Sequence, residues 1–294
     1  MLAIVGTVPD TQFPLSHGIA EIRGNHLHLS GQDIPINRGT PALIAAALKA
    51  SETIKGPDIY AFLAGDIGKG HGSRALYHFL EQHLSEFDFR VLTFHYLQPD
   101  ADWHNRVLFA VETMKQRPVL IADAGFMYAA KMSGQAPSYD FFTPDAGELA
   151  FLADENAPHP FYTRGFILHQ NNKVPDLIRR ACQHGNAATY LLVKGESDCV
   201  ADKNGLIETV NSPSYEAMEA IGGTGDTLTG LLSVLCATGL NPAEAAVLAA
   251  RINREIGSHV PCLTPATQIA ELIEKIPRAL TGVTEEYKVV GQIR

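Results

Sequence analysis

The chain is predicted to fold as an α/β protein whose mostly parallel central sheet is covered by helices on both faces. Three observations carry that expectation. From about Pro41 onward, short apolar runs alternate with longer helical patterns, as repeated strand–helix units do. Residues 19–36 instead alternate apolar and polar around a Gly24-Asn25 turn, which predicts a small N-terminal β-hairpin. The chain closes with three helical stretches, Thr224–Thr238, Pro242–Ser258 and Thr267–Leu280.

The elements follow in order. Pro41–Lys55 is rich in Ala and Leu, with Thr40 as a cap and Pro41 at the first helical position. Asp58–Ala64 reads as a buried strand, followed by a glycine loop and a helix from Ser73 to Glu86. Phe89–His95 and Val119–Asp123 are strands on either side of an amphipathic helix, Asp102–Gln116. Tyr139–Thr143 and Thr189–Lys194 are further strands, with helices at Ala146–Asp154 and Pro175–His184. Cys199–Ala201 and Leu206–Val210 flank a hairpin turn at Asp202–Gly205. Residues 155–172 read as a long surface loop. One domain is expected over residues 1–294: an N-terminal β appendage (1–38), a core (39–282) and a C-terminal tail (283–294).

Composition narrows the function. Apolar residues make up 46% and charged residues 19%, the balance of a soluble globular protein. A net charge of −9 without a basic block argues against a nucleic-acid or anionic-membrane surface. Cys182, Cys199, Cys236 and Cys262 form no C-x-x-C pair, so a reducing cytoplasm is expected rather than a disulfide scaffold or zinc ribbon. The N-terminus lacks the pattern of a signal peptide, and no run of 18 apolar residues predicts a membrane span.

The most informative stretch is Ala220–Leu232. Gly222, Gly223 and Gly225 allow a tight turn and close approach to a ligand, and Thr224 and Asp226 suit a helix start. A carboxylate, Asp226, thus sits where free backbone N–H groups converge, giving an anion hole with a base beside it. Lys194-Gly195 ends a buried strand, where lysine either neutralises phosphate or snorkels to the surface. Asp123 ends another strand; it is either a turn residue or a group for Mg²⁺ through water or for a substrate hydroxyl. Asp145 and Glu148 favour a helix dipole with or without a ligand. The loop Gly65–Ser73 completes neither a Walker A motif nor G-x-G-x-x-G, and reads as a substrate-lining loop containing Gly65. Twelve histidines show no convincing metal cluster, and acyl-transfer motifs are missing.

In order, these stretches resemble the ribokinase-like superfamily, and most of all its ADP/ATP-dependent NAD(P)H-hydrate dehydratases. Asp123-Ala-Gly-Phe-Met, Thr143-Pro-Asp-Ala-Gly-Glu148, Val193-Lys194-Gly195 and Gly222-Gly-Thr-Gly-Asp226-Thr-Leu228 stand where that branch carries its motifs, and Gly239–Ala246 also fits. The similarity covers roughly residues 117–260. Departures are Gly125 for a second aspartate, Asp145 for histidine, Asp198 for a small hydroxyl residue and Asn253 for histidine.

The resemblance implies a three-layer α/β/α fold using ATP or ADP and Mg²⁺. Asp226 would be the catalytic base. Lys194, Gly195, Gly222, Gly223, Thr224, Gly225 and Asn253 would hold the nucleotide. Gly65, Asp123, Asp145 and Glu148 would face the substrate, with Asp123 and Glu148 near the metal through water. The same residues would serve a small-molecule kinase acting on a sugar or vitamin-precursor alcohol, or a nucleotide sensor that has lost turnover. The implied partners are a nucleotide and a small molecule. A homo-oligomer is expected, with the N-terminal hairpin as lid or subunit contact.

Overall fold

The computed structural model describes residues 1–159 and 173–287. The expected loop at 155–172 and the expected tail therefore lie partly outside the described residues. The strands are β1 (Leu2–Val8), β2 (Ser16–Ile19), β3 (Glu21–Arg23), β4 (His26–Leu29), β5 (Gln32–Pro35), β6 (Ile59–Gly65), β7 (Val91–His95), β8 (Val119–Ala122), β9 (Phe141–Phe142), β10 (Tyr190–Val193), β11 (Asp198–Asp202) and β12 (Gly205–Val210). Nine of them form one sheet in the order β12-β11-β10-β9-β8-β7-β1-β6-β2. From β10 across to β6 the pairing is parallel. Antiparallel strands β11, β12 and β2 close the two edges.

Helices cover both faces, as expected. Thr40–Ile54, Thr224–Ala237, Pro242–Glu255 and Ile276–Glu286 build one core; His71–His83, Ala101–Glu112, Ala124–Met132, Ala146–Ala153 and Val174–Gln183 build the other. Strand β1 shows why so continuous an apolar run is needed. Leu2 and Ile4 enter the first core, while Ala3 and Val5 enter the second. No helix among the described residues is long and apolar enough to cross a membrane.

Four local expectations are corrected. Residues 1–38 are not wholly an appendage, because β1 lies in the middle of the main sheet and is buried throughout. A strand buried on both faces has no polarity alternation, so its seven residues carry little periodic signal. The hairpin is a three-stranded meander, β3-β4-β5, whose first turn is at Gly24-Asn25. Gly39, with φ of 77°, takes the cap position expected for Thr40, which becomes the first helical residue. The last helix is two, Ile269–Ile273 and Ile276–Glu286, since Pro277 fits only a first turn. The second of these runs into the expected tail. Helix Ala124–Met132 was not foreseen.

Gly65 is explained by this packing rather than by a ligand. A Cβ there would lie 1.9 Å from the carbonyl oxygen of Asp10. Gly65→Ala should therefore destabilise the fold by about 1–3 kcal/mol, read as a lower urea midpoint with an unchanged slope.

Candidate active site

The parallel strands deliver their carboxyl ends to one edge, where an open α/β sheet places ligands. β7 ends in His95, β8 runs into Asp123, and β10 runs into Lys194. The helix starting at Thr224 brings Asp226 to the same point, and the helix starting at Thr40 brings Gly39.

The centre is a buried polar network. Lys194 Nζ donates to both carboxylate oxygens of Asp123, each at 2.9 Å. Asp123, 1% exposed, also accepts from Thr229 Oγ1 at 2.7 Å and from the Ala124 N–H at 2.8 Å. Asp226 Oδ2 accepts from the Gly39 N–H at 2.6 Å. His95 Nε2 lies 3.0 Å from Asp226 Oδ1, and His95 Nδ1 lies 3.0 Å from Thr40 Oγ1. A carboxylate only accepts, so Nε2 carries the proton in that bond.

Electrostatics distinguish the acids. Burial works against the Asp226 charge, but the His95 hydrogen bond, Lys194 and the Gly39 N–H outweigh it and hold its pKa below the ordinary value. Burial likewise opposes the Lys194 ammonium. Asp123 and Glu148 overcome that and hold its pKa above the usual lysine value. Glu148 differs: burial, then the charges of Asp123 and Asp145, push its carboxyl up to about 7, with Lys194 only partly opposing.

Two solvent-open cavities flank this network. The smaller, about 420 Å³, is walled by Lys194, Gly195, Thr224, Gly225, Asn253 and Arg254, with Asp145 and Tyr215 at its sides. The larger, about 590 Å³, is lined by Gly39, Thr40, Tyr96, Gly125, Tyr128 and Glu148 among others. Asp226, its side chain 11% exposed, lines neither, but its neighbour Gly225 lines the smaller and its partner Gly39 the larger.

The structure sorts the expected residues accordingly. Lys194, Gly195, Thr224, Gly225 and Asn253 meet around the smaller cavity. Asn253 there accepts from Thr227 Oγ1 and donates to the Thr224 carbonyl, bracing the helix start. Gly222 and Gly223 form the turn before that start without lining either cavity; Gly223, at φ of 110°, caps the helix and no side chain does. Glu148 faces the larger cavity, whereas Asp145 lines the smaller one and forms a capping box with Glu148. Gly65 and Asp123 also stand outside both linings. Gly65 lines neither cavity, its neighbours Asp66 and Gly68 taking that place. Asp123 reaches neither cavity, because its oxygens are occupied by Lys194, Thr229 and the Ala124 N–H.

Sequence reasoning missed His95, Thr40, Gly39, Tyr96, Thr229 and Arg254. His95 had a usable signal, since it ends a strand as Asp123 and Lys194 nearly do. Tyr96 and Ala124 carry positive φ values of 50° and 44° at the cavity wall, which a sequence does not display. Arg254 ties Gly195 and Glu196 carbonyls to Asp198, across a separation in sequence that no motif spans. Gly125, at the position of the missing aspartate, meets the Leu97 carbonyl: a Cβ there would lie 2.2 Å from that oxygen.

A family model described as NAD(P)H-hydrate dehydratase, of the carbohydrate-kinase type, matches residues 98–278. An uncharacterised protein of Methanocaldococcus jannaschii is 41% identical over 239 residues, 81% of this chain and 98% of that protein. The ADP-dependent (S)-NAD(P)H-hydrate dehydratase of Cenarchaeum symbiosum is 30% identical over 131 residues, 45% of this chain and 40% of that protein. The bifunctional NAD(P)H-hydrate repair enzyme of Pyrobaculum aerophilum is 29% identical over 60% of this chain, which spans 32% of that longer protein. The ADP/ATP-dependent NAD(P)H-hydrate dehydratase from Bacillus subtilis, co-crystallised with ATP/Mg²⁺, shares the fold: TM-score 0.58 at 15% identity, over 96% of this chain and 89% of that one.

Two outcomes follow from the network. Lys194→Met strands a buried carboxylate and should cost about 3–5 kcal/mol, whereas adding Asp123→Asn should restore much of it; chemical denaturation of the four proteins measures the coupling. Glu148 is raised from 4.5 to about 7 in the fold, so its stabilising contribution is full below pH 4.5 and is lost as pH rises through 7. Glu148→Gln, which keeps the acceptor for the Asp145 N–H, should therefore match wild-type stability near pH 4 in metal-free buffer and exceed it at pH 8.

Proposed function

The chain belongs to the NAD(P)H-hydrate dehydratase family, and from that premise we propose that it uses ATP or ADP to remove the hydroxyl of a hydrated nicotinamide cofactor. The observation that carries the reading is that Asp226 is held between the linings of two cavities: Gly39, whose N–H it accepts from, lines the larger, while its neighbour Gly225 and Lys194 line the smaller, where the first turn of a helix opens. The nucleotide lies in the smaller cavity, its terminal phosphates on the N–H groups around Thr224 and Gly225. The hydrated ring lies in the larger one, beside Tyr96 and Glu148.

Lys194 holds a fixed positive charge at the phosphate end, because Asp123 anchors it. Asp226 accepts a hydrogen bond from the ring hydroxyl. A carboxylate held at low pKa is a weak base, so it takes the proton only as the oxygen–phosphorus bond forms and the hydroxyl becomes acidic. His95, itself held by Thr40, and the Gly39 N–H keep the carboxylate aimed and ionised. The terminal phosphate's bond to the nucleotide breaks as this one forms, releasing ADP or AMP; the phosphorylated hydroxyl then leaves as phosphate, and loss of a proton from the adjacent ring carbon restores the dihydronicotinamide double bond.

The residues fit a Mg²⁺ ion. Lys194 is spent on Asp123, while Glu148 is left among carboxylates that disfavour its charge. Glu148, through water, with nucleotide phosphates as the other ligands, suits an ion that keeps several waters. When bound, the ion neutralises phosphate charge. A small-molecule kinase would use the same residues, but the family match over residues 98–278 favours the dehydratase.

The test is absorbance recovery when hydrated NADH is incubated with the protein and ATP or ADP. Restored NADH is expected with one of the two nucleotides; no recovery with either would sink the reading. Asp226→Asn should lose about 10²–10⁴-fold in turnover with unchanged circular dichroism.

A further inference from the structure

The family match begins at residue 98, so it says nothing of the segment between β1 and the first long helix. That segment holds a third cavity of about 340 Å³, within the range of small-ligand sites, about 300–1,000 Å³. Pro9, Phe13 and Ile34 give it apolar walls, and Asp10 and Asp33 give it two carboxylates. It adjoins the larger active-site cavity: Pro9 and Arg38 line both.

Arg38 is the cation at that junction. It is exposed, and among the described residues it has no ion pair or hydrogen bond. Its side chain lies along Gly222, whose Cβ position would be 3.4 Å from Arg38 Cδ. The next residue, Gly39, holds Asp226 through its N–H. An uncommitted guanidinium thus stands between the space beside the reacting carboxylate and a separate apolar, acidic-walled recess. A dinucleotide has matching parts in the same order: a reacting ring, a diphosphate, a second nucleoside.

We infer that Arg38 binds the diphosphate of the dinucleotide substrate, and that the distal nucleoside enters the recess between residues 9–13 and the meander. The inference rests on the dehydratase reading and adds a subsite to it. A guanidinium fork suits diphosphate oxygens. Asp10 and Asp33 suit ribose hydroxyls and repel a 2′-phosphate, as acidic residues do at dinucleotide sites. Asp33 is already paired with His28 at 2.8 Å, which leaves Asp10 as the freer carboxylate. The subsite therefore selects the unphosphorylated cofactor.

Titration calorimetry with NADH, NADPH and dihydronicotinamide riboside tests this on the intact protein. Wild type should bind NADH tighter than NADPH. Arg38→Gln, at an exposed position, should weaken NADH by about 10–100-fold and leave the riboside unchanged. Asp10→Asn should narrow the NADH preference. With hydrated NADH, Arg38→Gln should raise KM and keep kcat. Equal NADH binding by wild type and Arg38→Gln, or equal weakening of the riboside, would overturn the subsite. So would a wild-type preference for NADPH. Turnover of hydrated NADH by wild type with an unmoved KM in Arg38→Gln defeats the subsite alone, whereas absence of turnover defeats the dehydratase reading and leaves the calorimetry to judge Arg38.

Discussion

The paired contact between Lys194 and Asp123 is the constraint around which the site is arranged. It joins the ends of two strands, β8 and β10, that are not neighbours in the sheet. A buried ion pair of this kind gives little net stability, since desolvation cancels much of the attraction. Its value lies in position. With Asp123 saturated, the ammonium cannot swing away, and Gly225 packs against its stem: a Cβ there would lie 3.2 Å from Lys194 Cδ. The glycine turn, the lysine and the helix start thereby keep one geometry. The same pairing leaves Glu148 without a cation of its own.

Residues 38–40 form the second organising element. Arg38 lies along the glycine turn, the Gly39 N–H holds Asp226, and Thr40 holds His95. Three consecutive residues thus touch three parts of the centre. They can do so because the chain leaves the meander in a left-handed glycine and enters a helix at once. The segment that reads as the seam between appendage and core braces the buried polar centre.

Much of this was legible in the chain. Alternating short apolar runs and helices revealed the layered sheet, and the run from Gly222 to Asp226 revealed the turn and its carboxylate. Lys194 and Asp123 were visible as polar residues at strand ends, but not their union, because a pairing 71 residues apart leaves no local pattern. That is why Asp123 was expected to face a ligand and instead holds a lysine. His95 looked like one histidine among twelve; only the sheet order, which sets β7 beside β1, brings it to Asp226. β1 escaped notice because burial on both faces erases periodicity.

The two cavities that flank the buried polar network each open to solvent and have no lining residue in common. That arrangement has a kinetic meaning. On the proposed reading, nucleotide and acceptor would load in either order, each through its own cavity. Neither reactant must wait behind the other, and a compound that plugs one mouth leaves the opposite mouth in exchange with the surroundings. Inhibition from one side would then be competitive toward one reactant and noncompetitive toward the other.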